Sequence, residues 1–93
     1  MSVSVTVRIP TQLRELTDGS SEVTAAGSNV EEVVHHLDDN HPGIGGRLLD
    51  DSGHLRRFVN LYIDGEDIRF LDGLKTEIPQ RAELSIIPAV AGG

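Results

Sequence analysis

The 93-residue chain has no cysteine and no tryptophan, and its aromatic residues are two phenylalanines and one tyrosine. Without a thiol it forms no disulfide framework, no thiolate zinc site and no cysteine nucleophile, so any sulfur chemistry must happen elsewhere. With so few aromatics against 26 Val, Ile and Leu, the core must be built from branched aliphatics on strands and an amphipathic helix, which favours an α+β fold. Basic residues are also scarce: eight Lys and Arg face 15 Asp and Glu, a net charge of −7. A phosphate backbone would be repelled by that surface, so nucleic acid is not an expected partner. The acidity fits solubility, or steering toward a basic groove on a partner enzyme. No basic leader, apolar leader core or run near the roughly 20 apolar residues of a membrane span occurs, so no membrane association and a cytoplasmic location are expected.

A chain of this length forms one domain. From Val3 to Ile9 odd residues are apolar and even ones polar, the period-2 pattern of a half-buried strand that Pro10 ends. A long loop leads through the turn signal Asp18-Gly19 to a second strand over Ser21 to Ala25, paired antiparallel with the first. Ser28 and Glu31 fit a capping box, and Val30, Val33, Val34 and Leu37 follow at helical spacing. That helix stops near Asn40, ahead of Pro42. A short helical turn is expected over Ile44 to Leu49 and an exposed loop over Asp50 to His54.

Phe58 to Ile63, Asp64-Gly65 and Glu66 to Phe70 read as a second hairpin, because Asp-Gly supplies the positive φ angles of a type I′ turn. Leu71 to Pro79 is a turn-rich connection. In the last strand Leu84, Ile86 and Pro88 share one face, which turns Ile87 to the other. Burying the helix stripe against one face of a mixed sheet yields a β-grasp domain over residues 1–88. Residues 89–93, Ala89-Val90-Ala91-Gly92-Gly93, are left as a flexible tail.

Pattern and tail together resemble the ubiquitin-like sulfur carriers of the ThiS/MoaD type over the whole chain. Within them the cysteine-synthesis carriers match best, through Arg57-Phe58-Val59-Asn60-x-Tyr62, Glu66-Asp67-x-Arg69-Phe70 and the ending Ile87-x-Ala89-Val90-Ala91-Gly92-Gly93. The Gly-Gly end is common to the superfamily and does not choose a pathway. One departure is Gln80-Arg81, where many such carriers have Gly-Asp, which leaves the geometry of that turn open.

The resemblance implies that Gly93 is the reactive residue. An E1-like adenylyltransferase of the MoeB/ThiF type would join its carboxylate to AMP from ATP, and a sulfur donor would displace AMP to leave a thiocarboxylate. Activation is a chemical necessity, because a terminal carboxylate with a pKa of about 3.5 is an anion at neutral pH and a poor electrophile. Glycine leaves the attacked carbonyl free of a Cβ in a narrow site. Five extended residues reach about 17 Å. Since the chain already ends in Gly93, no proteolytic maturation is expected.

In the cysteine-synthesis branch the implied acceptor is a cysteine synthase dependent on pyridoxal phosphate (PLP), with a metallopeptidase releasing the product. The carrier itself would bind no cofactor and be no enzyme. The same ending serves the small subunit of molybdopterin synthase, a sulfur donor to a pterin, and ubiquitin-like protein modifiers. Ile87, with Val90, Ala91 and Gly92, is the expected partner-binding surface.

Other residues read as structural. His35 and His36 are helix neighbours about 100° apart, and His41 and His54 fall in loops, so no metal spacing is met. Ser28 reads as a cap. The Gly43 to Gly46 stretch lacks the Lys-Ser/Thr of a phosphate loop.

Overall fold

The structure, a computed structural model, describes residues 3–88. The period-2 segment forms β1 (Val3–Arg8), followed by a 3-10 helix (Thr11–Thr17) and β2 (Glu22–Gly27). Helix α1 (Val30–Asn40), helix α2 (Ile44–Leu48), β3 (Val59–Ile63), the two-residue β4 (Glu66–Asp67) and β5 (Glu83–Pro88) complete the order. The strands make one sheet in the order β2-β1-β5-β3-β4. β1 and β5 are parallel at its centre and every other pair is antiparallel. This is the β-grasp fold expected from the pattern, with α1 across one face.

The α1 stripe, Val30, Val33, Val34 and Leu37, is fully buried against Val5, Val7, Leu61, Leu84 and Ile86 of the sheet. Both phenylalanines lie outside this aliphatic core. α1 crosses β2 so closely that a Cβ on Gly27 would sit 2.7 Å from the Val33 nitrogen, a contact no side chain tolerates. The β3–β4 turn has φ of +49° at Asp64 and +88° at Gly65, the two positive values a type I′ turn demands.

The helix cap lies one residue later than the sequence pattern implied. Asn29 is the N-cap, its side chain accepting from the Glu32 amide at 2.9 Å. Glu32 reaches back to accept from the Ser28 amide and hydroxyl at 2.8 and 2.6 Å, and these bonds hold its carboxyl below its ordinary pKa. Ser28-x-x-Glu31 and Asn29-x-x-Glu32 both satisfy the motif locally, and tertiary contacts choose between them. The Val30 amide donates to Thr76 O, and Glu31 is drawn instead to Lys75, whose ammonium lies 2.7 Å away and lowers its pKa.

Two further elements differ from expectation. The loop after β1 contains a 3-10 helix because Leu13 and Thr17 are buried there, with the Thr17 hydroxyl 2.9 Å from Ser20 O. The strand expected over Glu66 to Phe70 ends at Asp67, whose carboxylate accepts from the Arg69 amide at 2.8 Å and turns the chain into a 3-10 helix, Ile68–Phe70. Ile68 drops into the core. At the Gln80-Arg81 departure the turn is closed by Ala82 N donating to Pro79 O at 3.2 Å, with Arg81 at φ +60°.

Leu37→Ala removes a side chain with no solvent exposure and is expected to destabilise the domain by about 2–5 kcal/mol. The shift in denaturant midpoint measures it, and an unmoved midpoint would contradict the packing of α1 on the sheet.

Candidate functional site at the end of the sheet

Because β5 lies between β1 and β3, its C-terminal end emerges at the middle of one sheet edge. Pro88 pairs with Val59 and Ile87 with Asn60, while Arg8 near the end of β1 pairs with Ser85. Gly93, Val90, Ala91 and Gly92 lie outside the described residues, as does the whole 89–93 segment expected as a tail. The described platform from which that segment continues is therefore the candidate site.

Along β5 the alternation holds as expected: Leu84 and Ile86 are buried under α1, and Ile87 is 47% exposed on the open face. A shallow groove of about 210 Å³ runs between Ile87, Ser85, Arg8 and Pro10. Arg8 bridges the carboxylates of Glu22 and Glu83 at 3.3 and 3.2 Å. These pairs are half-exposed, and such surface pairs contribute little to stability, so they serve mainly to hold the guanidinium across three strands.

On the other side of Ile87 the two middle motifs meet. Arg69 donates from Nη1 to Asn60 Oδ1 at 2.6 Å, and from Nη2 to Val59 O at 2.9 Å and Arg56 O at 3.1 Å. Asp67 fixes the Arg69 backbone from below. This clasp brackets Phe58, since its carbonyl partners lie on both sides of that residue, and it places Phe70 beside it in the chain. Sequence reading singled out these residues as motif members without foreseeing that they touch. The signals were Asn60 at an outward strand position and Asp67-x-Arg69 as a side-chain-capped turn.

The remaining candidates take structural places. His36 Nδ1 accepts from the Ala26 amide at 2.9 Å, covering an outward N–H of the edge strand β2, so this histidine is more than a solvated surface residue. Among the described residues no three His, Cys, Asp or Glu side chains converge as metal ligands. Ser28 is tied to Glu32. The Gly43 and Gly45 amides donate to Asp38 Oδ1 at 3.1 and 2.8 Å, so the groups that would cradle a phosphate are already held by the protein's own carboxylate. A hollow of about 260 Å³ between α1, α2 and the Asp50–Gly53 turn lies on the helix side of the sheet, away from Ile87. No helix among the described residues is long and apolar enough to cross a membrane.

The chain matches the model of the ThiS family over residues 7–93. It is 47% identical over 93 residues to the sulfur carrier protein CysO of Mycobacterium tuberculosis, covering 98% of this chain and 100% of that one. It is 33% identical over 66 residues to small archaeal modifier protein 3 of Haloferax volcanii, covering 71% of each. Among solved structures it resembles a chain of the Amycolatopsis orientalis BexX/CysO complex, with a TM-score of 0.90 and 45% identity across 96% of this chain and 99% of that one.

Arg69→Lys keeps the charge but loses the planar fork. It is expected to destabilise the domain by about 1 kcal/mol. Added to Asn60→Ala it should cost less than the sum of the two, because both remove one shared contact. Denaturant titration of the three variants measures this, and strict additivity would contradict the clasp.

Proposed function

The chain belongs to the ThiS family of ubiquitin-like sulfur carriers, and from that premise we propose that it carries sulfur as a thiocarboxylate on Gly93 for cysteine biosynthesis. The supporting observation is its 47% identity to a sulfur carrier protein over nearly its whole length. An E1-like adenylyltransferase of the MoeB/ThiF type transfers AMP from ATP to the Gly93 carboxylate, releasing pyrophosphate. A sulfur donor then attacks the acyl carbon and AMP leaves with the electron pair of the broken C–O bond. The chain holds no cofactor in this reading: ATP is consumed by the activating enzyme and PLP belongs to the synthase.

The anionic thiocarboxylate sulfur attacks the β-carbon of an aminoacrylate in the PLP-dependent cysteine synthase, forming a C–S bond and leaving a cysteine acylated on sulfur. Transfer of the acyl group to the cysteine nitrogen converts that thioester to an amide, and a metallopeptidase hydrolyses the amide to release cysteine. Val90, Ala91 and Gly92 line the partner's channel in this reading, and Ile87 is the apolar contact at its mouth. Exposure of a β-branched residue on the open face, next to the strand's last residue, supports that role.

One observation favours a second reading as a protein modifier, the 33% identity to a small archaeal modifier protein. There Gly93 would end in an amide to a lysine of another protein.

Deleting Gly93, or adding one residue after it, is expected to abolish ATP–pyrophosphate exchange with the activating enzyme while circular dichroism stays unchanged. Normal exchange with the extended chain would overturn the carboxylate mechanism. The thiocarboxylate form, mixed with the synthase and an activated serine, is expected to gain the mass of one cysteine residue in a bond resistant to thiol reagents. Sulfur lost to a pterin precursor without that adduct would assign the chain to molybdopterin synthesis, and amide conjugates to other proteins would favour the modifier. Ile87→Glu is expected to raise the carrier concentration needed for half-maximal exchange at least about tenfold, a loss of an apolar contact plus a buried charge. An unchanged value would remove Ile87 from the docking surface.

A further inference from the structure

Phe58 and Phe70 are 54% and 88% exposed, in a chain with only three aromatic residues and a core that uses none of them. Phenylalanine is ordinarily among the more buried residue types, and nothing in this fold requires it at either position. The Asn60–Arg69 clasp holds the backbone on both sides of Phe58 and the residue before Phe70, so both rings are presented from a fixed frame. Ile87 stands directly across from Asn60 on β5. From Ile87 the open face thus leads through Asn60 to the clasp, which holds the chain on both sides of Phe58 and immediately before Phe70.

Its charge opposes that of the chain as a whole. Arg56 and Arg69 direct their guanidinium groups to neutral carbonyl and amide oxygens. Among the described residues neither of them, nor Arg57, lies within ion-pair distance of a carboxylate. Arg56 and Arg57 directly precede Phe58 in the chain and Arg69 is clasped to carbonyls on either side of it, so three arginines stand against the one carboxylate of the clasp, Asp67, in a chain of net charge −7. Aromatic anchors flanked by arginine are the composition of interface hot spots.

We propose that Phe58 and Phe70 dock into an apolar pocket rimmed by carboxylates on the enzyme that accepts sulfur from Gly93, and that this contact selects the acceptor. The inference rests on the sulfur-carrier reading given above. The acceptor must tell this carrier from any other ending in Gly-Gly, and Ala-Val-Ala-Gly-Gly offers it no charge, ring or hydrogen-bonding side chain to discriminate by. The nearest distinctive chemistry is the arginine-framed aromatic pair. Rigid presentation matters because an anchor already held in its bound geometry loses little freedom on docking.

The test compares two partners, using the full-length carrier with its ordinary carboxylate end so that binding is read without sulfur transfer. Calorimetric affinities for the cysteine synthase and for the activating enzyme are measured for the parent, for Phe58→Ala/Phe70→Ala and for Arg57→Glu. Both rings are surface groups, and circular dichroism checks that the variants fold. The double variant is expected to bind the synthase at least about tenfold more weakly and the activating enzyme within twofold of the parent. Arg57→Glu is expected to weaken synthase binding and flatten its dependence on salt, because the attraction to a carboxylate rim is lost. Synthase binding unchanged in the double variant, an equal loss toward both enzymes, or no synthase binding by the parent would each overturn the proposal. A parent that binds the synthase but forms no cysteinyl adduct would overturn the cysteine reading and leave the docking surface standing.

Discussion

Burial of one aliphatic stripe holds this molecule together. Val30, Val33, Val34 and Leu37 have no solvent exposure, and the surface that covers them comes from β2 and α2, their neighbours in sequence, together with β1, β5 and β3 of the sheet. The cover is complete only when the last strand has entered the sheet between β1 and β3. Hydrophobic burial is non-directional, so the stripe does not by itself say how the helix is aimed. Direction comes from contacts at its start: the Asn29 cap, the Val30 amide on Thr76 O and the Glu31–Lys75 pair. The last two tie α1 to the connection that precedes β5.

Placing β5 at the centre has a structural consequence. A terminal strand on an edge would leave its last residues beside solvent and a single neighbour. Here β5 is held by β1 as far as Ser85 and by β3 as far as Pro88, so only its last three residues pair on one side. Around Ile87 the sheet presents Arg8 on one side and the Asn60–Arg69 clasp on the other. Both are organised by hydrogen bonds across strands and not by burial, which leaves Ile87, Phe58 and Phe70 on the surface.

Alternation, helical spacing and the Asp-Gly turn were legible in the sequence because each is a local rule with one structural solution. The α1 stripe, the C-terminal end of that helix, the inward set of β5 and the outward Ile87 follow from such rules. Where the local code was degenerate the reading slipped. Two overlapping capping patterns begin at Ser28 and Asn29, and the residues that choose between them, Thr76 and Lys75, lie more than 40 positions away. Asp67 could continue a strand or start a turn, and the early end of β4 is decided by whether Ile68 can reach the core.

By itself, then, the sequence determined the materials available to this protein: no thiol, few aromatics, an aliphatic core and the Gly92-Gly93 pair. It also determined which faces of its strands and helix are apolar, because periodicity is a property of neighbouring residues. Only the tertiary structure decided that Asn60, nine residues before Arg69, meets its guanidinium across the 3-10 turn, and that Ile87 stands beside them. Strand order and side-chain hydrogen bonds between separate motifs depend on how distant segments pack. No local pattern encodes that distance.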